Sequence, residues 1–173
     1  MFQGIACVMP TSRRGFLRGR FRSDTDVLRP PWAIAGGDFE DACTRCGDCL
    51  KACPTGIVVA APGGYPGVDF SRGECSFCGD CVTACQAGAL QRSDGLAPWR
   101  LAAVIADACL ARRGIECRVC GEACAAAAIR FRPSRGGVAQ PLFDAERCTG
   151  CGACQAPCPA GAIAMKNRVE MPA

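Results

Sequence analysis

Residues 43 to 54 read Cys43-Thr44-Arg45-Cys46-Gly47-Asp48-Cys49-Leu50-Lys51-Ala52-Cys53-Pro54. Three cysteines two residues apart, a fourth three residues on and a closing Pro make the run that bacterial chains use to hold [4Fe–4S] cubes. The spacing has a physical reason. Successive tight turns bring three thiolates round one cube and expose backbone N–H groups to its sulfurs. The fourth cysteine, on the helical turn that follows, points the other way and reaches a neighbouring cube.

Outward from this stretch the run recurs three times. Cys75, Cys78, Cys81 and Cys85 precede Gln86; Cys148, Cys151, Cys154 and Cys158 precede Pro159. The remaining run, Cys109, Cys117, Cys120 and Cys124, has seven residues in its first gap and is followed by Ala125. The missing prolines take no ligand away. The long gap is expected to form a surface loop over residues 110–116 and to make this the least robust cluster. Together the runs use 16 of the 17 cysteines and leave Cys7 as a spare thiol.

Composition agrees. The chain has 173 residues, 21 Gly, 12 Pro and only 6% aromatics, so one large apolar core is not available to hold it. It has no His, which excludes Rieske centres, His-ligated haem, His-containing zinc sites and Ser-His or Cys-His catalysis. A disulfide framework expects an even count of dispersed cysteines in a secreted chain, whereas these are bunched and odd in number. Zinc expects two Cys-x-x-Cys knuckles separated by a loop, not triplets. No stretch of 18 apolar residues occurs, so no membrane span is expected.

The intervening segments suggest an α+β fold of two tandem bicluster ferredoxin-like modules, with short hairpins and short helices, held by their clusters. Between the first two runs, Ile57-Val58-Val59 and Val68-Asp69-Phe70 flank a Gly-rich turn; between the last two, Ile129-Arg130-Phe131 and Pro141-Leu142-Phe143-Asp144 do the same. The segment Ala97-Pro98-Trp99-Arg100-Leu101-Ala102-Ala103-Val104-Ile105 reads instead as a helix opened by Pro. The expected layout is an irregular arm over 1–40, a first module over 41–96, a helical connector over 97–106, a second module over 107–167 and a tail over 168–173.

Pairing neighbouring runs gives four ligand sets: Cys43, Cys46, Cys49 with Cys85; Cys75, Cys78, Cys81 with Cys53; Cys109, Cys117, Cys120 with Cys158; and Cys148, Cys151, Cys154 with Cys124. The rival nesting pairs run one with four and run two with three. Phe39, Phe70, Phe77, Phe131 and Phe143 are expected to pack round the cubes and shield them from water.

Sixteen thiolates for four cubes leave no iron open to substrate, unlike a catalytic metal site. General bases, phosphate loops and a dinucleotide fingerprint are missing too, so the chain reads as an electron carrier and not as an enzyme. The formal charge of +4 is not that of the loaded protein. Sixteen thiolates remove 16 charges and four cores of charge +2 restore 8, for a total of about −4, so nucleic acid is not an expected partner. The first 30 residues nevertheless hold Arg13, Arg14, Arg18, Arg20, Arg22 and Arg29 against two Asp. Ser12-Arg13-Arg14-Gly15-Phe16-Leu17-Arg18 imitates a twin-arginine signal, but Gly19-Arg20-Phe21-Arg22-Ser23-Asp24-Thr25-Asp26 is no apolar core, so export is not expected.

That arm, together with Arg29-Pro30-Pro31-Trp32, Gly63-Gly64-Tyr65-Pro66, Glu74-Cys75-Ser76-Phe77-Cys78 and the long-gapped third run, resembles the NapF family of ferredoxin-type proteins. The likeness runs from residue 12 to about 165. It implies a cytoplasmic accessory that acts on the molybdenum subunit NapA of periplasmic nitrate reductase before export, with an unknown electron donor; the Arg-rich arm reads either as a solvated segment or as a docking segment for that partner. The alternative is a subunit that relays electrons to a respiratory oxidoreductase during turnover. Residues 1–10 fall outside the likeness.

Overall fold

The computed structural model describes residues 27–35, 37–93, 95, 97–135 and 137–168. Cys7, the twin-arginine-like segment and residues 169–173 lie outside them. Four short helices are described, α1 (Gly37–Ala42), α2 (Asp48–Ala52), α3 (Asp80–Thr83) and α4 (Val119–Glu122). The six strands are β1 (Val58–Ala60), β2 (Pro66–Val68), β3 (Leu101–Ile105), β4 (Ile129–Ser134), β5 (Gly137–Phe143) and β6 (Ile163–Asn167). They form three antiparallel pairs, β1–β2, β4–β5 and β3–β6.

The two halves repeat one plan. Each hairpin closes on the same bond: Asp69 N–H donates to Ile57 O at 2.8 Å in the first, and Asp144 N–H to Ala128 O at 2.8 Å in the second. The ends of each half also meet. In the first, Ala33 bridges Leu90, and Ile34 N–H donates to Ala89 O at 3.1 Å. In the second, the same closure has grown into the β3–β6 ladder, from Leu101↔Asn167 to Ile105↔Ile163.

That ladder corrects the helical connector. Residues 101–105 are a strand and belong to the second module. A short apolar run cannot be assigned by periodicity alone, and here a strand partner 58 to 66 residues downstream decides. Leu101, Ala102, Ala103 and Ile105 are all buried. A strand covered on both faces is apolar throughout instead of alternating, which is why it imitates a buried helix.

From Val27 onward the arm is packed into the first module. Val68 N–H donates to Leu28 O at 2.8 Å, Gln91 N–H to Trp32 O at 2.8 Å, and Pro30 and Trp32 are buried. Arg29 pairs with Glu40 at 3.0 Å and lies 5.1 Å over the Phe39 ring and 5.4 Å from that of Tyr65. Helix α1 crosses the expected boundary at residue 40.

The core is thin and continuous. Phe39, Ile57, Phe70, Leu90, Leu101, Ile105, Ile129, Ile163 and Met165 pack with buried cysteines and alanines, and no polar or charged residue is buried among the described residues.

Candidate metal centres

Four cavities open among the loops, and four cysteines line each. Cys43, Cys46, Cys49 and Cys85 line site I; Cys53, Cys75, Cys78 and Cys81 line site II. Site III is lined by Cys109, Cys117, Cys120 and Cys158, and site IV by Cys124, Cys148, Cys151 and Cys154. The sorting follows the pairing of neighbouring runs and not the nested alternative. Each cavity also has a phenylalanine wall, Phe39, Phe77, Phe131 and Phe143 in sites I to IV, and Trp32 joins Phe77 at site II. Phe70 lines none of them.

Local geometry explains how the runs wrap. Cys49 and Cys53 flank the body of α2, so one faces site I and the other site II; Cys81 and Cys85 do the reverse from α3. Gly47 (φ 80°), Gly79 (φ 87°) and Gly152 (φ 81°) hold the equivalent turn in the left-handed region, where an L side chain is strained. In the third run the turn is made by Arg118 at φ −133°. Its seven-residue gap folds back on itself: Arg113 N–H donates to Cys109 O at 3.1 Å and Ile115 N–H to Leu110 O at 2.9 Å. Gln140 Nε2 donates to Ala111 O at 2.9 Å and pins the loop to β5. Ala111 is buried and Ile115 exposed, so the expected surface loop is anchored at one point, and Cys109 rejoins its set.

The thiols stand round the cavities instead of converging on a point. Among the described residues no group of His, Cys, Asp or Glu is arranged to grip a single ion, and the space between protein atoms at each cavity, open solvent included, is about 320 to 390 Å³. Each set offers four soft sulfur donors, the donor type that iron–sulfur clusters require. All sixteen described cysteines are free thiols. Amides already point at several sulfurs: Ala128 N–H at Cys124 Sγ and Ala162 N–H at Cys158 Sγ, both at 3.3 Å. The residues therefore fit [4Fe–4S] groups, which need thiolates and N–H donors to sulfur.

The electrostatics mark what the metal must supply. Burial pushes the Cys49 and Cys120 thiols up to about 11, with repulsion from their site partners adding to it. Burial raises Cys81 and Cys154 to about 12 in the same way. Cys75 rises to about 11 through burial, opposed by the Phe77 amide and assisted by Cys53, Cys78 and Cys151. At Cys53 burial pushes up, but the Thr55 hydroxyl and the amides of Thr55, Ile57 and Val58 outweigh it and hold the thiol below its ordinary range. Buried thiols of raised pKa are inert as nucleophiles and become thiolates when a metal displaces the proton.

Residues 42–90 and 113–162 each match a model of the 4Fe-4S dicluster domain. The chain is thus a ferredoxin-type iron–sulfur protein made of two dicluster halves. It is 47% identical over 165 residues to the ferredoxin-type protein NapF of Haemophilus influenzae, covering 90% of this chain and 93% of the relative. The NapF protein of Escherichia coli is 45% identical over 152 residues, covering 88% and 92%. A methylamine utilization ferredoxin-type protein MauM of Methylobacillus flagellatus is 36% identical over 172 residues, covering 90% and 74%. The chain belongs to the NapF family of ferredoxin-type proteins. The second dicluster match begins after Cys109, the cysteine that the long gap displaces and the fold returns to site III. Among the described residues no helix is long and apolar enough to cross a membrane.

Proposed function

We propose that sites I to IV hold four [4Fe–4S] clusters, each ligated by its four lining cysteines, and that the chain is a cytoplasmic accessory in the maturation of NapA. The clusters, when bound, supply one-electron redox chemistry. The chain's own residues hold them, donate hydrogen bonds to sulfur and shield them with at least one aromatic ring per site. The observation that carries the reading is the sorting of sixteen thiols into four complete sets, which leaves no iron position for a substrate. The link to NapA rests on family membership and on the Arg13-Arg14 segment, whose sequence imitates an export signal without the apolar core that export needs.

Two measurements test it. Anaerobic purification followed by iron and sulfide analysis should give about sixteen of each per chain; zinc or disulfides in their place would overturn the cluster assignment. Deleting the protein should leave NapA immature, with its cofactors incomplete, before export. Mature NapA with lost turnover supports the second reading, an electron relay to a respiratory enzyme, which the seam between the two halves favours. Arg13→Ala with Arg14→Ala should lower recovery of unexported NapA in pull-downs, and unchanged recovery counts against the arm.

A further inference from the structure

Sites II and IV meet at the seam between the halves. Cys75, which lines site II, donates its backbone N–H to the carbonyl of Cys151, which lines site IV, at 2.8 Å. Beside this bond the Phe70 ring lies against Gly152 so closely that an added Cβ would stand 2.0 Å from its Cδ1. Trp99 closes the other side. Its ring meets Phe70 edge-on at 5.6 Å and Phe77, the wall of site II, at 5.8 Å, while its Nε1 donates to Thr149 O in the site IV loop at 3.4 Å. Among the described residues no hydrogen bond joins a cysteine of site I to one of site III.

Within each half the two sites are already adjacent through α2, α3 and α4, whose flanking cysteines face different sites. The seam therefore fixes the order of all four. We propose that the Cys75–Cys151 peptide hydrogen bond couples the halves into a single line of sites ordered I, II, IV, III, held closed by Gly152, Phe70 and Trp99. This rests on the cluster assignment above. Electronic coupling decays steeply with separation, and this path runs from one ligand residue to the other through a few bonds and one short N–H···O contact. An electron crossing it leaves one inner site as it enters the other; no bond is made or broken and no proton moves. Of the three rings at the contact, Phe70 is buried, while Phe77 and Trp99 are half-buried. Sites I and III become the two ends, so charge arriving at one reaches the other only through both inner sites.

The test uses anaerobic full-length holoprotein reduced with dithionite and read by EPR, with iron and sulfide measured on each sample. Cys43→Ala, Cys46→Ala, Cys109→Ala and Cys117→Ala together empty the outer sites. The remaining two clusters should show mutual spin–spin broadening and enhanced relaxation. The converse protein (Cys75→Ala, Cys78→Ala, Cys148→Ala, Cys151→Ala) should show two isolated signals. Two loaded inner clusters with isolated signals would overturn the order. Trp99→Ala, which removes no cysteine, keeps the measurement available if the quadruple variants load poorly. It should retain full iron while the spin interaction across the seam weakens and small-angle scattering shows a larger radius of gyration. Unchanged spectra and size there also overturn the proposal. Low iron in the unsubstituted protein would count instead against the cluster assignment.

Discussion

The two modules hold the same number of cysteines in the same topology, yet they are braced differently. The first closes its ends on a single bridge, Ala33↔Leu90, and relies on Arg29, Glu40, Phe39 and Tyr65 stacked beside site I. The second closes on five residue pairs between β3 and β6 and has the longer hairpin, Ile129–Ser134 with Gly137–Phe143. Its third run has lost the compact first turn and accepts a seven-residue detour. The lesson is that the thiols set the topology while the surrounding scaffold is free to vary, provided each cysteine returns to its cavity.

Four experiments would break or sharpen that contrast. The largest effect is expected from chelating the iron. Neither module has a core large enough to stand without its metal, so far-UV circular dichroism should collapse in both. A surviving second module would show that the β3–β6 ladder suffices alone. Next, Phe39→Ala removes a ring that is 2% exposed at the wall of site I. It should cost about 3–5 kcal/mol, seen as earlier denaturant bleaching of the first module's visible absorbance, with the second module unaffected.

In the second module Gln140 clamps the detour to β5 through Ala111 O. Gln140→Ala should cost about 1–2 kcal/mol and speed iron loss to a chelator from site III before the other sites. Equal rates from all four sites would show that the loop does not depend on the clamp. The smallest effect concerns Ala127, which follows the fourth cysteine of the third run at φ 50°, where the other runs place Gly56, Gly88 and Gly161 at positive φ. Ala127→Gly should relieve left-handed strain and stabilise the second module by about 0.5–1 kcal/mol, measured as a higher denaturant midpoint. A lower midpoint would mean that the methyl group's packing outweighs the strain.

The sites were legible because spacing along the chain is itself the constraint: three cysteines two residues apart can reach one cube and the fourth cannot. Both hairpins were legible too, from apolar triplets flanking Gly-rich turns, although β1 and β2 start and stop one or two residues from the expected positions. The strand at Leu101–Ile105 was not, because its identity depends on Ile163–Asn167, which no local pattern names. Nor was the packing of Arg29, Pro30 and Trp32, whose partners Glu40, Phe39, Tyr65 and Gln91 are contributed by other segments. Phe70 shows the difference most plainly. Sequence marks it as one more ring beside a cube, but it packs on Gly152 across the seam.

By itself the amino-acid sequence determined the chemistry: which cysteines form each run, that their spacing suits polynuclear iron, and that two similar halves follow one another. Those properties are local, set by the reach of a turn and the softness of a thiolate. Only the tertiary structure decided how the halves face each other, because a contact between Cys75 and Cys151 spans 76 residues and depends on shapes that meet after both modules have formed. Order among the sites is therefore a property of the packed seam and not of any motif.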